Sequence, residues 1–316
     1  MIDASVIICT HNPRPHHLRR VMDALRNQVA PYSQWELLLV DNASEPALAP
    51  SWDISWHPNA RHIRERELGL AAARRRGISE ALAGLLIFVD DDSALDATYL
   101  SEALRIGREW PVLGTWGSGT IVPEFEQQPA EHLKLQVSFL GLLRNEKAYW
   151  SNVPSCLRAI PLGAGMCVRA PAAAQYLRFV AQDTLPILGR KGTSLTSHED
   201  TEISLVACSS GWGMGVFPEL RVTHLIPRAR VSEQYLLKLV EGSELSGALL
   251  TYKWFEKSVP NPFAIRRLLS VVKNVVLTSG FHRRQFLATV RGKVAARRIL
   301  LQHMKDMKGT KMSSSL

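Results

Sequence analysis

Short apolar runs that end in polar turns alternate with stretches of helical spacing over the first hundred residues. Ser5-Val6-Ile7-Ile8-Cys9-Thr10 is the first run, closed by His11-Asn12-Pro13; Leu18, Val21, Met22 and Leu25 then recur every three or four positions. Trp35 to Val40 is a second run, closed by Asp41-Asn42-Ala43-Ser44, and Arg61-His62-Ile63-Arg64 is a weaker strand. A helix over about Leu70 to Leu82 leads past Gly84 into Leu85-Leu86-Ile87-Phe88-Val89, a strand apolar on both faces that runs straight into Asp90-Asp91-Asp92. Strands alternating with helices predict a mostly parallel α/β sheet with helices on its faces. In such sheets ligands bind beyond the carboxyl ends of the strands. Asn12, Asp41 and Asp90 to Asp92 all fall at such ends, so the pattern alone gathers three polar clusters on one edge.

The acidic triplet changes the picture most. An unpaired buried carboxylate costs several kcal/mol, so the three acids must emerge into a solvated cleft. Three like charges in a row relieve their repulsion by sharing a cation, and oxygen ligands suit Mg²⁺ or Mn²⁺. The alternative is a polar turn after a strand. Further along, a helix is expected over about Ala97 to Trp110, followed by loops and a helix across residues 111–160. Gly163-Ala164-Gly165 leads into a strand at Met166-Cys167-Val168. Ser197, with Asp200 three residues on, has the form of a helix start. Val216-Phe217-Pro218 and Arg221 to Ile226 read as two short strands, His224 lying in the second, and a helix over about Ser232 to Phe255 closes the body.

Composition narrows the class. With 316 residues, 46% hydrophobic and 21% charged, the chain can bury a full core and is not a disordered protein. Cys9, Cys156, Cys167 and Cys208 lie far apart, which argues against a zinc site or a disulfide framework and for a reducing compartment. The chain opens directly into a strand with no visible secretory signal, and no apolar run reaches the ~18–20 residues of a membrane span. The net charge of +9 is uneven. From Lys257 to Leu316 thirteen Lys and Arg face one acid, Asp306, a net of +12, which leaves −3 for the first 256 residues. A basic tail on an acidic body favours an anionic partner.

Ile8-Cys9-Thr10-His11-Asn12, Asp41-Asn42-Ala43-Ser44, Gly69 with Ala73-Arg74-Arg75-Arg76-Gly77-Ile78, Phe88-Val89-Asp90-Asp91-Asp92, Glu199-Asp200 and His224 follow one another in an order that resembles glycosyltransferase family 2 over roughly residues 4–250. The resemblance implies the GT-A fold, a Rossmann-like sheet flanked by helices, and an inverting transfer from a nucleotide-sugar. Within it Asp90 to Asp92 resembles the D-x-D motif, Asp92 holding Mn²⁺ or Mg²⁺ and Asp90 or Asp91 meeting the ribose. Asp41 resembles the acid that binds the donor base, framed by Thr10 and Asn12. Arg74 would face the diphosphate or the acids; Arg75 stands where the family has Asn. Glu199-Asp200 resembles the acceptor-side pair, Asp200 being the general base that takes the proton of the attacking hydroxyl. His224 would complete the metal shell; a core histidine is the alternative. Gly163 and Gly165 would let the acceptor approach, with His198 and Glu199 beside it. Trp116, Trp150 and Trp212 could stack on a sugar or belong to the core.

The expected organisation is a GT-A domain over residues 1–256 and a basic helical extension over 257–316, with Lys305 to Leu316 disordered. In the extension, Phe263 to Leu277 and Phe286 to Leu301 interleave apolar residues with Arg and Lys. Either these helices lie on an anionic membrane face, or they form a packed pair with a basic outer surface. The expected function is a metal-dependent inverting glycosyltransferase. It would use a UDP-, GDP- or dTDP-sugar on a glycan or lipid-linked acceptor in surface polysaccharide biosynthesis, in the cytoplasm or at the inner face of the membrane. A nucleotidyltransferase would want a glycine-rich phosphate loop, which His11-Asn12-Pro13-Arg14-Pro15 lacks. A nucleic-acid-binding protein would want a readout motif, and none is present, so no nucleic acid is expected.

Overall fold

A computed structural model describes residues 2–187, 189–259, 261, 264 and 272–313. Strands β1 (Ala4–Thr10), β2 (Trp35–Asn42), β3 (Ala60–Glu65) and β4 (Leu85–Asp90) pair in parallel in the order β3-β2-β1-β4. Every residue of β1 and β2 is buried. The reason lies in the two-residue period of a strand, which sends neighbours to opposite faces. Val6 and Ile8 join one core with Leu18, Val21 and Leu25 of α1 (Pro15–Arg26). Ile7 and Cys9 join the other with Ala73 and Ile78 of α2 (Leu70–Glu80). A strand covered on both sides has no polar face, and the sequence shows it as an unbroken apolar run. Gly77 seats α2 on β1, since a Cβ there would meet Ile7 Cγ2 at 2.5 Å.

Beyond β4 the sheet continues through β9 (Cys167–Arg169), β6 (Leu113–Phe125), β10 (Gly213–Ile226) and β5 (Ser93–Leu95), with β7 (Leu143–Arg144) beside β6 and β8 (Tyr149–Ser151) beside β10. β6 and β10 are parallel, whereas β9 runs against both of its neighbours. Helices α3 (Tyr99–Glu109), α4 (Ala170–Ala181) and α5 (Glu199–Ser209) cover the faces, and α6 (Glu233–Phe255), a helical stretch at 272–277 (α7) and α8 (Gly280–Ser313) follow. This is the mostly parallel α/β sheet, flanked by helices and extended by C-terminal helices, expected of a GT-A protein.

Three expectations need correction. The region expected as loops and a helix contains the 13-residue strand β6, whose glycines disguise it. A Cβ at Gly119 would meet Phe217 C at 2.5 Å, and one at Gly114 would meet Trp212 Cβ at 2.5 Å, so close neighbours exclude the side chains that signal a strand. The two short strands after Gly215 are one, β10, bent where the register shifts between Phe217 and Arg221 around Pro218. The segment expected to be disordered carries the end of α8, which runs to Ser313. In the extension, the alternation at Phe263, Ile265, Arg266, Arg267, Leu268, Leu269 and Val271 falls outside the described residues.

Candidate active site

A cleft of about 570 Å³ opens at the carboxyl ends of β1, β2 and β4. The turn after β4 carries the acidic triplet along its wall, and each acid has a different environment. Asp90 lies 3.4 Å from Arg74 Nη2. Asp91 accepts a hydrogen bond from Thr10 Oγ1 at the end of β1. Burial, with the Asp92 charge beside it, pushes the Asp91 carboxyl up to about 7 against that bond. Asp92 is buried, and its carbonyl accepts from Leu225 N at 2.8 Å, which ties the turn to β10. Burial alone would raise the Asp92 carboxyl; Arg230 and His224 outweigh it and hold the group well below the usual carboxylate range.

His224 faces Ser93 across the β5–β10 pair, and its Nε2 lies 3.7 Å from Asp92 Oδ1. Two atoms each about 2.0–2.3 Å from one ion can lie at most about 4.5 Å apart, so this pair fits a single divalent cation. One oxygen and one imidazole nitrogen suit Mn²⁺ better than Mg²⁺. The same two groups also hold Arg230, whose Nη1 sits 2.5 Å from Asp92 Oδ2 and 3.3 Å from His224 Nε2. Among the described residues, three metal-capable side chains converge only at His16, His17 and Glu126. There Arg14 and His16 already meet Glu126 Oε1 at 2.8 and 3.0 Å, and Arg228 N donates to Oε2 at 2.9 Å, so the carboxylate is fully engaged.

The opposite wall begins at α5. Its N-cap is His198, in the left-handed region at φ 78°, and no side chain caps the helix, which corrects the expected start at Ser197. His198 Nδ1 instead meets Ser197 Oγ at 3.0 Å and Ser246 Oγ at 3.2 Å. Burial lowers the His198 pKa, against the attraction of Asp200. Glu199 turns inward, 2.8 Å from Arg74 Nη1, and burial pushes its carboxyl up to about 7 against the pull of Arg74. Asp200 lies at the cleft, where Oδ2 accepts from Gly163 N and Oδ1 from Thr201 N, both at 2.7 Å. Gly163 also admits Arg74, because a Cβ there would collide with its guanidinium. Arg74 is therefore a buried strut that spans from Asp90 to Glu199.

Thr10, Arg74, Asp90, Asp91, Asp92, Gly163, His198, Glu199, Asp200 and His224 thus share one cleft. Asn12, Asp41 and Gly165 do not line it. Asn12 N donates to Ser44 Oγ, and its Oδ1 accepts from Glu45 N, both at 2.9 Å. Asp41 accepts from Ser44 N and Leu48 N, each at 3.0 Å, and pairs with Arg64. Gly165 packs under Tyr99, whose hydroxyl donates to its carbonyl at 2.5 Å. Trp116, Trp150 and Trp212 also lie away from the cleft walls: Trp116 is buried, Trp150 packs on Trp110, and Trp212 Nε1 donates to Gln175 at 3.2 Å. Sequence reasoning missed Arg230, Arg190 and Lys191, which line it as well, and named His11 and Asn42, also in its walls, only as members of their motifs. The available signal for Arg230 was a pair of arginines, Arg228 and Arg230, just past a strand that ends at the ligand-binding edge.

With that geometry in view, comparison with known proteins is direct. The model of the family described as glycosyl transferase family 2 matches residues 5–183, more than half of the chain. The chain belongs to glycosyl transferase family 2. As a family 2 member it is 24% identical over 229 residues to the "Inactive polypeptide N-acetylgalactosaminyltransferase-like protein 5" of Macaca fascicularis, covering 70% of this chain and 51% of that protein. It is 27% identical over 103 residues to "Glycosyltransferase AglE" of Haloferax volcanii, covering 32% of this chain and 34% of that one. The chain thus spans about half and about a third of the lengths of these relatives. Among solved structures it is similar to S. aureus TarS 1–349, with a TM-score of 0.49, 12% identity, and coverage of 96% of this chain and 92% of that one. The same fragment in complex with UDP gives a TM-score of 0.49 at 14% identity, with the same coverage of each chain. Neither a nucleotidyltransferase nor a nucleic-acid-binding protein, the alternatives open on the sequence, is what this family 2 assignment describes. Among the described residues, no helix is long and apolar enough to cross a membrane.

Proposed function

We propose that this chain transfers a glycosyl group from a nucleotide-diphosphate sugar to an acceptor hydroxyl in a single inverting displacement. The observation that carries the reading is Asp200. Its carboxylate is fixed by two backbone N–H groups on the acceptor-side wall of the cleft whose other wall is Asp90 to Asp92. A sugar hydroxyl is a weak nucleophile, so a carboxylate within hydrogen-bond reach has to take its proton as it attacks C1. The C1–O bond to the diphosphate breaks on the opposite side, which inverts the anomeric centre. Asp92 Oδ1 and His224 Nε2 would hold a Mn²⁺ or Mg²⁺ ion, which neutralises charge on the leaving diphosphate when bound. Arg190 and Lys191 add positive charge to the same cleft. Thr10 orients Asp91 toward the ribose, and Arg74 keeps Glu199 and Asp90 apart at fixed distance.

The acceptor in this reading is a glycan or lipid-linked hydroxyl, and the C-terminal helices approach an anionic membrane face. Support comes from Val276 and Leu277 on α7 and from Ile299, Leu301 and Met304 on α8, which are exposed beside Lys273, Arg298 and Lys305. The deciding experiment measures donor affinity by calorimetry with UDP-, GDP- and dTDP-sugars, and product formation, on the same proteins. Asp200→Asn should keep donor affinity while turnover falls by roughly 10²–10⁴-fold. Full turnover in Asp200→Asn would overturn the assignment of the base.

A further inference from the structure

Arg230 stands where a cation is wanted. One guanidinium nitrogen, Nη1, lies 2.5 Å from Asp92 and 3.3 Å from His224 Nε2, and those two groups are 3.7 Å apart. An arginine nitrogen has only protons to give, so at this contact Nε2 is the acceptor, through the lone pair that would ligate a metal. A divalent ion and Arg230 therefore compete for the same imidazole lone pair, and they divide the charge of one carboxylate, Oδ1 lying toward His224 and Oδ2 held by Arg230. The ion cannot take Nε2 while Arg230 keeps it.

The surroundings decide what moves Arg230 away. Its side chain is 21% exposed and that of Asp92 is 7% exposed, so separating them with no new partner for either would leave two largely buried charges unpaired. Positive groups crowd the same space: Arg190 is close enough to act on Asp92, and Lys191 lines the wall. A bare cation thus meets a site that is already neutralised. A nucleotide diphosphate changes this, because its charges offer the guanidinium a new anionic partner within the cleft. Arg230 sits on the short turn Arg228–Val231, between Pro227 and the start of α6, and so can reorient without disturbing β10.

We propose that Arg230 is a resident counter-cation that makes the divalent ion and the nucleotide diphosphate bind together, each poorly without the other. The inference rests on the reading of Asp92 and His224 as the ion's ligands. By linkage, the factor by which UDP tightens Mn²⁺ equals the factor by which Mn²⁺ tightens UDP, so one number measures the coupling.

The test titrates Mn²⁺, followed by electron paramagnetic resonance of the free ion, into the full chain with and without UDP. Arg230→Gln should bind Mn²⁺ alone at least 10-fold more tightly than the wild type, and its coupling factor should fall at least 10-fold. Arg190→Gln removes the same charge from the same cleft without freeing Asp92, and should change Mn²⁺ affinity by less than about 3-fold. Arg230→Lys, read the same way, covers the case in which the Gln variant folds poorly; its point charge should give an intermediate value. Equal Mn²⁺ affinity in wild type and both Arg230 variants overturns the proposal, as does an equal gain in Arg190→Gln. Mn²⁺ binding that persists in Asp92→Asn overturns the ion assignment and the coupling with it. That result leaves the glycosyl-transfer reading to its own test at Asp200.

Discussion

The cleft and the α6–α8 pair both hold many charges, but they satisfy them in opposite ways. In the cleft, charges are buried and shared: Arg74 serves both Glu199 and Asp90, and Arg230 serves both Asp92 and His224. Along α6 and α8 each exposed cation meets its own partly exposed glutamate, Arg284 with Glu233 at 2.5 Å, Arg291 with Glu241 at 2.7 Å and Lys293 with Glu244 at 3.5 Å. A shared buried charge is costly to orphan and can exchange its partner for a ligand. A solvated pair contributes little and offers nothing to a ligand. Part of the tail's basicity is therefore already answered by α6, and net charge read from sequence overstates what is left for a partner.

The largest expected effect is at the strut. Arg74→Met leaves Glu199 buried without its cation and should lower stability by about 3–5 kcal/mol in chemical denaturation. Replacing both members, Arg74→Met with Glu199→Leu, should recover most of that loss, because the one charge then left without its cation, Asp90, is 36% exposed and solvated. A single-variant loss below about 1 kcal/mol would erase the contrast with the surface pairs.

A smaller effect, with an unusual sign, is expected where α8 lies on α6. Gly→Ala in an open helix stabilises by about 1 kcal/mol. A Cβ at Gly292, however, would collide with the Glu241 carbonyl and meet Glu244 Cβ at 2.9 Å. Gly292→Ala should therefore destabilise, by about 1–3 kcal/mol in thermal or denaturant unfolding. A gain in stability would mean that the two helices do not pack this closely.

The same contrast explains what the sequence made legible. β1 and β4 are buried on both faces, so their apolar runs and the acids that end them stand out without any structure. The convergence of Asp90 to Asp92 with Asp200 and His224 followed from motif order, and the cleft brings them together. β6 was hidden because contact with Phe217 and Trp212 selects glycine in place of strand-forming side chains. The engagement of Asp41 by Ser44, Leu48 and Arg64 was not legible, because it depends on how the next loop folds back. Arg230 was invisible as a partner of Asp92 for the same reason: the two are far apart in the chain, and only the β5–β10 pairing brings them into contact.

The smallest expected effect separates cations that α6 answers from those it does not. Arg291 is paired with Glu241, whereas Arg298 is exposed and takes part in no ion pair among the described residues. A basic residue close to an anionic lipid surface contributes about 1 kcal/mol, or roughly five-fold in partition. Arg298→Gln should therefore weaken sedimentation of the full chain with phosphatidylglycerol vesicles about five-fold at low salt. The difference should shrink toward physiological ionic strength as screening shortens the reach of the charge. Arg291→Gln should leave vesicle binding within about two-fold, because the Glu241 carboxylate already offsets its charge, and should cost less than about 1 kcal/mol of stability. Equal losses from the two substitutions would mean that lipid senses the summed charge of α8 rather than its unpaired face. No vesicle binding by the wild type would leave the helix pair a packing element alone.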